Sequence, residues 1–168
     1  TVRTPDYKKQ KKKKKHHNCH LLTRQLLKKK KYIHMFIFFW KKSLFLFRRD
    51  LRLEDNTGLI YALKNSHEVI PCFIIDSKIM CKFKNSTHRI KFLNQSLVDL
   101  DEQLNKKNNN LKIFNGDTKE IIKRIIPEQK IDSVFLNGDY TRCAQNRENE
   151  IEKICNENKI KFNKYADY

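Results

Sequence analysis

A chain of 168 residues, 39% of them apolar, has room for one ordinary domain and enough apolar material to pack it. Its formal charge of +18 is unevenly spread: residues 1–42 hold 15 Lys and Arg against the single acid Asp6, whereas residues 43–168 hold 22 against 18. The body is only mildly basic, so any argument for nucleic-acid binding from overall charge is an argument about the tail.

That tail contains the runs KKQKKKKKHH and LLKKKK, which repel themselves and carry too little apolar surface to order; disorder is the expected state. Its functional reading is a nuclear-localisation signal or an arm making non-specific contact with nucleic acid. The sequence starts at Thr1 and Met35 lies shortly before the first motif, which leaves open that much of residues 1–34 is a partial or mis-called upstream segment. His16, His17, Cys19 and His20 are ligand types, but so crowded that they cannot readily close a tetrahedron, and no metal is expected there. Tyr32 to Phe47 is aromatic and apolar yet cut by Lys41 and Lys42, leaving pieces well short of the roughly 20 residues of a spanning helix. No membrane partner is expected. Five cysteines, at 19, 72, 81, 143 and 155, show no CxxC spacing. Cys72 and Cys155 sit in apolar patterns as small core residues, which fits a reducing compartment: cytoplasmic, or nuclear in a eukaryote.

From Ser43 onward strands and helices alternate. Ser43 to Phe47 is a short apolar run suited to a buried strand, and Thr57 to Lys64 has helical spacing. Between them the charges of SLFLFRRDLRLEDN occupy a strand-to-helix turn, with Asp55 or Asn56 placed to cap the helix and Asp50 placed to pair with Arg48, Arg49 or Arg52. Glu68 to Ile75 is the second strand. Ile90, Leu93, Leu97, Leu100 and Leu104 then mark the buried stripe of a helix over about Ser86 to Lys107. Leu111 to Phe114 is the third strand. It is followed by a turn at Gly116 and a helix capped by Asp117 or Thr118, whose core face is Ile121, Ile122, Ile125 and Ile126. Ser133 to Leu136 is the fourth strand, about Cys143 to Asn158 a helix burying Ile151, Ile154 and Cys155, and Lys161 to Lys164 the fifth strand. Such alternation predicts an α/β domain, a five-stranded parallel sheet wound on both faces.

Chemistry in such a sheet gathers at the carboxyl ends of the strands. Here those ends carry Arg48 to Arg52, Asp76, and Asn137 to Tyr140. With only Gly58, Gly116 and Gly138, the chain has neither GxGxxG nor GxxxxGK[ST], which excludes the usual dinucleotide and P-loop phosphate cradles. It has no nucleophile elbow and no HExxH, so self-contained catalysis has little support. The plain alternative for Arg48, Arg49 and Asp50 is a cap or an internal salt bridge.

These motifs also resemble a known family. FLFRRDLRLEDN followed by VIPCFIID is similar to the opening of the DNA photolyase and cryptochrome family. HRIKFLNQSLVDLDEQL (His88 to Leu104) resembles its second helix, and FLNGDYTRCAQNRENEI (Phe135 to Ile151) its fourth strand, loop and helix. The resemblance covers about Ser43 to Tyr168 and implies the family's amino-terminal domain: Rossmann-like, doubly wound, with strand order 3-2-1-4-5. It also implies a light-harvesting antenna chromophore that passes excitation to FAD. That FAD would lie in a following helical domain, which binds damaged DNA, donates the electron and is absent from this sequence, so the chain alone is not expected to repair DNA. Carried over residue by residue, the resemblance points to Arg89 and Asp139 as polar chromophore contacts and to Phe73, Ile74 and Asp76 as the wall of the same pocket. Folate-binding members have an Asn-Glu pair where this chain has Cys143 and Ala144, so a deazaflavin or flavin is expected in preference to folate. The alternative is a stand-alone nucleotide-like ligand-binding domain, or a cryptochrome-type photosensory or interaction module.

Overall fold

Four apolar residues in a row, Leu44 to Phe47, leave the first strand no face to turn to water, and it forms the centre of the sheet. The computed structural model describes residues 40–80 and 86–167. The expectations for the lysine-rich tail and for the His and Cys run at 16–20 lie outside the described residues. The elements run β1 (Lys42–Phe47), α1 (Thr57–Asn65), β2 (Glu68–Ile75), α2 (Ser77–Met80), α3 (Thr87–Asn105), β3 (Lys112–Asn115), α4 (Thr118–Gln129), β4 (Ser133–Asn137), α5 (Arg142–Glu157) and β5 (Lys161–Tyr165). All neighbouring strands are parallel, in the order β3-β2-β1-β4-β5. This is the expected Rossmann-like, doubly wound sheet.

Strand residues alternate between two cores. Leu44 and Leu46 of β1 join Cys72, Val134 and Leu136 in packing against Ile122 and Ile125 of α4 and Ile151 and Ile154 of α5. Phe45 and Phe47 point the other way, with Phe73 and Phe135, onto Leu59 and Ala62 of α1 and Leu97, Leu100 and Leu104 of α3. Cys72 and Cys155 are buried in the first core, where burial raises both thiols, that of Cys155 to about 12. They are inert packing groups.

Boundaries differ from expectation where a specific hydrogen bond intervenes. β3 begins at Lys112 because the Leu111 amide donates to the Asp101 carboxylate at 2.7 Å. β4 and β5 each run one residue further than expected, since Asn137 and Tyr165 are ladder partners. The stripe of α3 also divides: Leu97, Leu100 and Leu104 are buried, whereas Ile90 and Leu93 are half-buried beyond the carboxyl edge of the sheet.

The strand order reverses at β1, which has β2 on one side and β4 on the other. The switch point of the topology is therefore the carboxyl end of β1, the place where doubly wound sheets bind ligands. Gly58, at the start of α1, lies so close to the end of β4 that a Cβ there would collide with the Asn137 side chain. A glycine is needed for helix and strand to meet.

Candidate ligand-binding site

The charged turn after β1 is held by partners drawn from the ends of other elements. Arg48 Nη2 donates to the Asn137 carbonyl and, at 2.7 Å, to Oε1 of Glu148 on α5. Glu148 is only 2% exposed; its Oε1 also accepts from the Asp139 amide at 3.0 Å, and its Oε2 forms an ion pair with Lys164 Nζ at 3.3 Å. Arg49 Nε stands 3.3 Å from Asp139 Oδ2, and Arg52 Nη2 donates to Asp167 Oδ2 at 2.7 Å.

Asp50 does something other than expected. Its Oδ1 accepts from the Arg48 amide at 2.9 Å, and its Oδ2 accepts from the side-chain amides of Asn137 at 2.5 Å and Asn56 at 3.3 Å. The arginines reach outward to acids on later elements, while Asp50 turns inward to two buried amides. Asn56 is the cap of α1, accepting from the Leu59 amide at 3.1 Å. Asp55, at φ 51°, is exposed and offers its carbonyl to Arg52 instead.

These pairings set the charge states. Burial works to raise the Glu148 carboxyl, but the Arg48 hydrogen bond, the Asp139 amide and Lys164 outweigh it and hold it below its ordinary value. The same contest at Asp139 is won by the Thr141 amide together with Arg49 and Arg48, so that carboxyl too is held low. At Asp167 burial is outweighed by Thr57 and Arg52. All three favour the ionised form in the folded chain.

Two adjoining cavities flank this charged ridge. The smaller, about 170 Å³, has the charged Arg49, Arg52 and Asp167 among its walls, with Gly138 and Tyr140. The larger, about 300 Å³, opens between α3 and α5 over the ends of β1 and β2, with apolar walls from Phe47, Phe73, Ile75, Ile79 and Leu93. Arg48, Arg49 and Asp139 line both. Of the residues expected to contact a ligand, Phe73, Ile74, Asp76 and Asp139 line the larger cavity. Asp76 is committed within the fold: its Oδ1 accepts from the Lys78 amide and its Oδ2 from the Thr118 hydroxyl, each at 2.9 Å. Arg89 is not among the lining residues; it is exposed on the first turn of α3, one turn before Leu93, which does line the cavity.

Arg147, which the sequence pattern did not single out, lines the larger cavity four residues before Ile151 on the same side of α5. That i, i+4 spacing from a core isoleucine was the available signal. Among the described residues no group of three or more His, Cys, Asp and Glu is placed to hold a metal ion, and no helix is long and apolar enough to cross a membrane.

A doubly wound parallel sheet with a ligand-sized cavity at its switch point defines a class of binding domain, and sequence comparison narrows it. Residues 43–167 match the family model for DNA photolyase, and the chain belongs to the DNA photolyase and cryptochrome family, whose amino-terminal α/β domain it represents. It is 37% identical over 106 residues to a (6-4)DNA photolyase of Arabidopsis thaliana, covering 58% of this chain and 19% of that protein. It is 30% identical over 124 residues to a cryptochrome DASH of Xenopus laevis, covering 70% and 24%. Among solved structures it resembles an archaeal photolyase from Sulfolobus tokodaii with two FAD molecules, at 38% identity and a TM-score of 0.65, over 74% of this chain and 29% of that one. The chain thus spans between about a fifth and a quarter of the length of these curated relatives.

Proposed function

We propose that this chain is a light-harvesting antenna domain. It holds a flat heteroaromatic chromophore in the larger cavity at the carboxyl edge and serves an FAD-binding helical domain, covalently continuous or separate, that engages damaged DNA. The bound chromophore would supply absorption of light and transfer of excitation to that FAD. The observation that carries the reading is the cavity of about 300 Å³ walled by Phe73, Ile75 and Leu93 at the switch point of the sheet. Its volume is at the lower end of the roughly 300–1,000 Å³ of small-molecule sites, which suits one planar ring system better than a whole dinucleotide. Phe73 and Leu93 would cover the ring, and Asp139, kept ionised by Thr141 and Arg49, would accept from a polar ring edge.

A deazaflavin or flavin is favoured over a folate. At the two positions where folate-binding relatives have an Asn-Glu pair, Cys143 is exposed and Ala144 is fully buried, and neither side chain supplies the amide or carboxylate of that pair. The Sulfolobus relative, with two FAD molecules and the implication of a novel light-harvesting cofactor, supports the flavin alternative. The lysine-rich tail would add only non-specific, salt-dependent contact with nucleic acid. A photosensory role is the second reading, favoured by the cryptochromes among the relatives, such as that of Aedes aegypti at 31% identity. It would use the same cavity with a different output.

Fluorescence titration of the full chain tests the ligand preference. Riboflavin or a deazaflavin is expected to bind about tenfold or more tightly than 5,10-methenyltetrahydrofolate, the equivalent of one well-placed hydrogen bond. Equal or tighter binding of the folate would contradict the preference.

A further inference from the structure

Arg147 is a cation with no directly paired acid among the described residues. It is half-buried in the wall of the larger cavity, and among the described residues its guanidinium has no hydrogen-bond or ion-pair partner. The other charged side chains of that wall each have at least one direct partner, although Arg48 Nη1 is buried without one. Arg48 is bonded to Glu148 and Arg49 is paired with Asp139. Asp139 also accepts from the Thr141 amide, and both oxygens of Asp76 are taken by Lys78 and Thr118. Three arginines and two aspartates therefore line the cavity, and Arg147 is the one of the five without a hydrogen bond or ion pair among the described residues. Burial, and then repulsion from Arg48, disfavour its charged form, while Asp76 and Asp139 help only from a distance. A half-buried guanidinium that gives up hydration without gaining an acceptor is costly, and an anion set against it lowers that cost.

We propose that Arg147 is the anion anchor of this cavity, so that the ligand is a planar aromatic molecule carrying a single negative group set against the Arg147 guanidinium while its ring rests between Phe73 and Leu93. An ionised ring oxygen, a carboxylate, a sulfonate or a phosphate monoester supplies the same planar or tetrahedral array of acceptors that a guanidinium fork recognises. The inference rests on the larger cavity being the ligand site. It goes beyond that reading by specifying the charge of the ligand and the residue that selects it.

Two probes that share a ring system separate the two statements: 1-anilinonaphthalene-8-sulfonate, an anion, and N-phenyl-1-naphthylamine, its neutral counterpart. Both are titrated by fluorescence into the full chain, its R147Q and R147K variants, and a Leu93→Trp variant that fills the cavity. The wild-type chain is expected to bind the sulfonate about tenfold more tightly than the neutral probe, the size of one charge-assisted hydrogen bond. R147Q is expected to remove that preference without changing affinity for the neutral probe, R147K to retain part of it, and Leu93→Trp to displace both probes. A sulfonate preference that survives in R147Q overturns the anchor. Equal affinity for the two probes in the wild-type chain, with both displaced by Leu93→Trp, also overturns the anchor but leaves the cavity as the ligand site. Probe binding that is indifferent to Leu93→Trp removes the cavity reading and the anchor with it.

Discussion

Arg48→Met is expected to destabilise the folded domain by about 3 kcal/mol or more, in the range found when one partner of a buried ion pair is removed. Glu148, 2% exposed, would keep its charge with only Lys164 at 3.3 Å and the Asp139 amide to compensate it. The Asn137 carbonyl would also lose its donor. The double variant R48M/E148L should recover much of the loss, because it removes the stranded carboxylate along with its partner. Urea unfolding at neutral pH measures both. A loss below about 1 kcal/mol for Arg48→Met would show that the pair behaves as an exposed one. The acid limb of the stability profile offers an independent check. Glu148, Asp139 and Asp167 are all held below their ordinary values in the folded chain. Folded-state pKa values lower than unfolded ones give a stabilisation that is complete above the unfolded carboxylate range, about pH 4, and disappears as pH falls through the depressed folded values. Arg48→Met weakens the Glu148 and Asp139 shifts, so the stability of the variant should fall less steeply with acid than that of the wild type.

Asn137→Ala is the second large effect, expected at about 3 kcal/mol from the cost of about 1–3 kcal/mol for each buried polar group left without a partner. Asn137 is 5% exposed and its amide joins four elements of the site. Oδ1 accepts from the Gly58 amide at 2.8 Å, while Nδ2 donates to Asp50 at 2.5 Å and Asn56 at 2.8 Å and lies 3.2 Å from Asp167 Oδ2. Alanine would leave the Gly58 N–H unpaired and would deprive Asp50 and Asn56 of a donor. Hydrogen exchange at the Gly58 amide should accelerate markedly, well before global unfolding. An unchanged exchange rate, or a loss of stability under about 0.5 kcal/mol, would mean that water replaces the amide without cost.

The central strand and the order of elements were legible because parallel strands buried on both faces read as uninterrupted apolar runs between helical patterns. Phe45, Leu46 and Phe47, for example, have nowhere to go except two cores. The caps were legible as types: Asn56 and Asp117 each occupy a position that the residue pattern had narrowed to two. The charge pairings were not. Arg48 meets Glu148 a hundred residues later, and Arg52 meets Asp167 after 115, so spacing carries no trace of them. Local reasoning offered Asp50 as the nearest acid, and the fold turned it toward Asn56 and Asn137. Arg147 was hidden for a related reason. An arginine on a polar helix reads as solvated until the wall opposite it is known. Arg89 came from motif likeness alone, and on its helix it is Leu93, one turn later, that lines the cavity.

The cavity between α3 and α5 is the proposed seat of the chromophore. The most direct test is riboflavin binding to the full chain compared with Leu93→Trp, whose added indole fills the cavity from a half-buried position outside the main core. Saturable binding is expected for the wild-type chain and loss of at least about tenfold in affinity for the variant, with thermal stability little changed. Equal affinity in the two proteins, with both folded, would place the flavin outside this cavity.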